Sequence, residues 1–149
     1  MHGTADHSRW VALFCAIIIG ALYVVGVVSG TVLRHVVQTV PLWVCVVLGL
    51  KRVRVVRWLA LPMLVSWFSL MAVVWMFLLG WTRVISGHFS PVEIAMTIVI
   101  GAASAAGIKT CLGRPWQGTA IAGVGVFVTG AFCQWAAFYV SFLQGIANR

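Results

Sequence analysis

The chain has 149 residues, 62% of them apolar and only 8% charged, with ten lysines and arginines against two acids and a net charge of +8. A soluble domain carries about a quarter charged residues, so this composition excludes a surface made for water. Its apolar runs are long and unbroken, which excludes a membrane β-barrel built from strands of about ten alternating residues. The cations sit in short clusters between apolar runs, as orientation signals do, and not on the single basic face of a nucleic-acid-binding protein. Lipid is therefore the expected solvent. The expected fold is all-α: a polytopic transmembrane helical bundle forming one integral membrane domain over residues 1–149.

The first apolar run predicts a span over residues 10–28. The weakly basic start, MHGTADHSR, and a run longer than a signal-peptide core predict that this span is retained. "SGTVLRHVVQTVPLWVCVVLGL" follows. A turn at Ser29-Gly30 and a second span over 31–50 would place Arg34, His35 and Gln38 near one interface, with Pro41 inside the helix. In the other reading, residues 36–50 are re-entrant or interfacial and the chain crosses four times. The crossing is preferred because Pro41 to Leu50 is too apolar to leave in water.

"KRVRVVR" then supplies Lys51, Arg52, Arg54 and Arg57, expected to face the cytoplasm and touch anionic lipid headgroups. The third span covers 58–81. Trp67, Met71 and Trp75 recur at i, i+4 and i+8, one helix face. Such a face suits core, lipid or partner packing, and it would also suit a quinone or pigment.

The fourth span, 91–108, begins in "HFSPVEIAM". Ser90 fits the N-cap, Pro91 the first helical position and Glu93 the third, which is the capping-box pattern. A carboxylate at a membrane rim could instead be an ion site, with Arg83 as its mate. Farther along, "GAASAAG" gives three small-residue pairs four apart, Gly101/Ala105, Ala102/Ala106 and Ala103/Gly107, each able to permit close helix approach.

The fifth span, 116–140, carries two stripes. One is Gly118, Ala122, Gly125 and Thr129. The other is Gly130, Gln134, Ala137 and Ser141. The expectation is that the last two helices pack on each other, or that one of them packs on a partner. Gln134 is expected to hydrogen-bond across an interface or back onto its own helix.

With five spans Arg9, Lys51, Arg52, Arg54, Arg57, Lys109 and Arg114 lie inside, and Arg34, Arg83 and Arg149 outside. With four spans Arg9 and Arg34 exchange sides, so the balance is unchanged. Both readings put the C-terminus outside the cytoplasm, and a bacterial inner membrane is the expected location.

Cys15, Cys45, Cys111 and Cys133 show no CxxC or zinc-type spacing. There is no serine–histidine–aspartate set, acid pair, HExxH or phosphate-cradling glycine loop. No enzyme and no cofactor is expected. The expected function is an accessory or structural subunit docking by its helix faces onto a larger membrane complex. The expected partners are the lipid bilayer and other membrane subunits or further copies of the chain, and not nucleic acid. The alternatives are a small oligomeric transporter or channel, and a haem- or pigment-binding subunit in which His35 and His88 share the outer face.

Overall fold

A computed structural model describes residues 3–82, 89–113 and 120–147. Five long helices follow one another: α1 (Gly3–Ser29), α2 (Val32–Leu50), α3 (Val56–Leu78), α4 (Pro91–Leu112) and α5 (Ala120–Ser141), then a single turn, α6 (Gln144–Ala147). All five are long and apolar enough to cross a membrane. At about 1.5 Å per residue they extend roughly 28–40 Å, matching a bilayer core of about 30 Å. The fold is a polytopic transmembrane bundle, and the four-span reading is overturned. Residues 36–50 belong to α2, which continues through Pro41.

The connections explain where the helices stop. At the end of α3, Gly80 adopts φ 77°, its N–H donates to the Phe77 carbonyl at 2.9 Å, and the Trp81 N–H reaches back to Met76 at 2.9 Å. This is a Schellman turn, in which a left-handed residue closes the helix and satisfies its last carbonyls. The third helix therefore ends at Leu78, three residues before the expected Trp81. Gly30 closes α1 in the same way, with φ 69° and the Thr31 N–H on the Gly26 carbonyl at 2.8 Å. In the other direction α4 runs a turn past the expected residue 108, to Leu112. The expected start of the fifth span, 116–119, lies outside the described residues.

α1 packs on α2 and α4, α2 on α5, α5 on α3, and α3 on α4, so the helices close a ring. α3 also reaches α1 and α2. The chain alternates direction, so the starts of α1, α3 and α5 share the end that carries residues 51–57, the basic end. Val11, Cys15, Ile18, Leu42, Leu64 and Trp67 fill the interior.

Backbones approach closely where glycine allows. A Cβ on Gly49 of α2 would stand 2.6 Å from the Ser8 carbonyl oxygen and 2.7 Å from Ala12 Cβ of α1. One on Gly107 of α4 would stand 2.9 Å from Leu64 Cδ1 of α3. One on Gly130 of α5 would meet the Leu59 carbonyl, and Pro62 Cγ at 2.9 Å.

The expected pairing of the last two helices is not found. Among the described residues α4 and α5 make no contact, because α3 stands between them. Small residues permit close approach but do not choose the neighbour.

Candidate functional site

Glu93 caps its own helix. The Glu93 N–H donates to Ser90 Oγ at 3.2 Å, and the Ser90 N–H donates to Glu93 Oε2 at 2.7 Å, with Pro91 opening the helix. The capping box is complete. The carboxylate also sits at the positive end of the α4 dipole. Arg83 lies outside the described residues. Glu93→Ala is expected to lower stability by about 1 kcal/mol, whereas Glu93→Gln keeps both capping bonds and costs less than about 0.5 kcal/mol. Thermal unfolding of the two variants side by side checks this.

His35 lies half-buried near the start of α2. Its Nδ1 stands 2.9 Å from the Thr31 carbonyl and 3.2 Å from Thr31 Oγ1. A carbonyl can only accept, so Nδ1 carries the proton and Nε2 presents a lone pair. A metal-binding histidine is commonly oriented in this way by a backbone carbonyl. His88 lies outside the described residues, and among those residues no three histidine, cysteine or acidic side chains converge as metal ligands. At the same end Arg34 covers the Phe142 ring at 4.1 Å, a cation–π contact beside the last carbonyls of α5.

The four expected lipid-facing cations divide in two. Lys51, Arg52 and Arg54 are exposed at the basic end, while Arg57 is half-buried and its Nη1 has no partner among the described residues. Arg52 holds φ 58° and closes α2 with a third Schellman turn, the Val53 N–H bonding the Leu48 carbonyl at 3.0 Å. Arginine stands where Gly30 and Gly80 stand in the other two turns. An L side chain in that conformation costs about 1–2 kcal/mol. Arg52→Gly is therefore expected to stabilise the fold by about 1 kcal/mol, seen as a raised midpoint in thermal unfolding.

The small-residue positions do not all behave as expected. Gly101 faces α3, its Cβ position 3.8 Å from Met71 Cβ, but Ala105 points outward. The packed pair in "GAASAAG" is Ala103 with Gly107. On α5, Ala122 and Gly125 lie on the outside of the ring, and nothing comes within 4 Å of a Cβ on Gly125. Gly118 lies outside the described residues. The second stripe is the buried one: Gly130, Gln134 and Ser141 face inward.

Gln134 bonds across an interface, donating from Nε2 to the Gln38 carbonyl of α2 at 3.3 Å. Gln38 Nε2 in turn donates to Ser141 Oγ at 3.0 Å, and Ser141 Oγ to the Phe138 carbonyl at 2.7 Å. Gln38 and Ser104, both buried, were not singled out as site residues in the sequence. Their signal is present there, since each is a lone polar side chain within an apolar span.

Trp67 and Trp75 also part company. Trp67 is buried and meets Phe138 edge-on at 5.1 Å between centroids. Trp75 is half-buried and, with Phe68, Met71, Thr97, Ile98 and Gly101, walls an apolar groove of about 370 Å³ between α3 and α4.

Fold and surface define a class: a small polytopic α-helical membrane protein whose interior polar contacts join α2 to α5. Comparison with known protein families, curated proteins and solved structures finds no match to this chain.

Proposed function

We propose that the protein is a non-catalytic membrane subunit that docks through the outward face of α5 onto another membrane-spanning subunit. One observation carries the reading: α5 buries only its Gly130–Gln134–Ser141 face, while Ala122, Gly125 and Thr129 lie outside the ring. A helix wholly committed to lipid gains nothing from a small-residue stripe, whereas a second helix packs into one. An aromatic ladder continues the same helix, with Trp135 6.1 Å from Phe132 and 5.8 Å from Tyr139 between ring centroids. Ring pairs of this kind are common anchors at interfaces.

The test is purification from native membranes in mild detergent. A partner subunit at fixed stoichiometry is expected with the wild type. Gly125→Leu places its side chain in open space, so it should fold normally and reduce partner recovery by about tenfold. A wild-type chain that migrates alone as a monomer overturns the reading. The oligomeric-transporter alternative draws on the buried Gln38 and Gln134, and liposome flux tests it. The haem alternative draws on the Nε2 lone pair of His35, and a visible spectrum lost in His35→Ala tests it.

A further inference from the structure

We propose that the centre of the bundle binds internal water, held by Trp67 of α3, Ser104 of α4 and Gln134 of α5. The three residues are 1%, 0% and 0% exposed. Trp67 Nε1, Ser104 Oγ and Gln134 Oε1 each lack a hydrogen-bond partner among the described residues. Buried polar atoms are almost always satisfied, and where the protein does not satisfy them an ordered water does.

The helix register sets Ser104 level with Trp67 and Gln134 within about one turn of them. On one side of α3, Gly107 packs on Leu64 and Gly101 on Met71, so Ser104 falls opposite the turn that carries Trp67. On the other side, α5 runs parallel to α3. Gly130 rests on Leu59 and Pro62, and Phe138 stands edge-on to Trp67, which puts Gln134 between those levels. All three side chains belong to the closed inner face of the ring.

Ser104 differs from most of the helix hydroxyls. Ser29, Thr39, Ser66, Thr97, Thr110, Thr129 and Ser141 each donate to a carbonyl of their own helix. Ser104 does not, although that bond needs only a side-chain rotation. Its hydroxyl is left for something else.

The chemistry of the set selects the ligand. Trp67 offers an N–H and can only donate. Gln134 Oε1 can only accept. The Ser104 hydroxyl does both. A molecule that satisfies them must accept and donate. It must also be small, because none of the three opens to lipid. Water meets both conditions, while a lipid headgroup or a quinone fails the second. Through Gln134 the water adjoins the Gln38–Ser141 bonds, so polar contacts continue from the bilayer centre towards the Arg34 end. The inference is independent of any docking role for α5.

X-ray radiolytic footprinting of the full chain in lipid nanodiscs tests it, with oxidation located by mass spectrometry. Radicals born from bound water oxidise the side chains that touch it, even when bulk water cannot reach them. Cys15 is equally buried and intrinsically reactive, so it reports radicals arriving from outside. The expected result is Trp67 oxidised about tenfold faster than Cys15, with the Trp67 rate falling in Ser104→Ala and in Gln134→Leu as waters are lost. Ser104→Ala removes a single oxygen, so it keeps the test open should Gln134→Leu fail to fold. A silent Trp67, equal labelling of Trp67 and Cys15, or a Trp67 rate unchanged in Ser104→Ala overturns the proposal.

Discussion

Replacing Gly130 by valine is expected to pry α5 from α3 and cost about 3 kcal/mol, at the upper end for overpacking a filled interior. The added Cβ would run into the Leu59 carbonyl and stand 2.9 Å from Pro62 Cγ. A flexible side chain could swing aside, but a backbone carbonyl inside a helix cannot. α3 is also held by three other helices, α1, α2 and α4, so it cannot retreat. α5 must move instead, and doing so breaks the Gln134–Gln38 and Gln38–Ser141 bonds. Gly125→Val on the same helix meets nothing within 4 Å and serves as the control, with an expected change within about 0.5 kcal/mol. Reversible unfolding in bicelles or mixed micelles measures both. Equal stability of the two variants would remove the α3–α5 interface from the structure.

These two glycines show how far the sequence could be read. Five residues apart, they differ by about 140° around a helix of 3.6 residues per turn and cannot share a face. Spacing alone makes both stripes candidates for packing. The discriminating signal was chemical: Gln134 and Ser141 accompany Gly130, and polar side chains within a span turn toward protein. The other stripe, Ala122, Gly125 and a Thr129 whose hydroxyl bonds back to the Gly125 carbonyl, carries no amide and lies on the outside.

Number and placement of the helices were legible because apolar run length is a one-dimensional property. So was the Ser90–Glu93 cap, whose groups all lie within four residues. The neighbours of α4 were not legible. Which helix stands beside "GAASAAG" depends on how five helices close a ring, and no local pattern encodes that order. The left-handed backbone of Arg52 was likewise invisible, since its sequence suggested only a basic loop. The third span, expected to run to Trp81, stops short of it because Gly80 carries the stop signal.

Trp67→Ala is expected to cost about 3–4 kcal/mol and Trp75→Ala less than about 1 kcal/mol, although both lie on one stripe of α3. In lipid the separated helices are already surrounded by hydrocarbon, so transfer from water adds little to the difference. What remains is lost contact, since a buried indole touches atoms on every side and the lining of a cavity forfeits that attraction. Trp67 is buried and loses its edge-on contact with Phe138. Trp75 edges a groove open to lipid, and acyl chains can fill the space it leaves. Trp67→Phe separates shape from polarity. It keeps a ring against Phe138 and removes only the N–H and part of the volume, so about half of the alanine cost should return. If Trp67→Ala proved as mild as Trp75→Ala under the same unfolding conditions, Trp67 would face lipid and the α3–α5 register would be wrong by at least part of a turn.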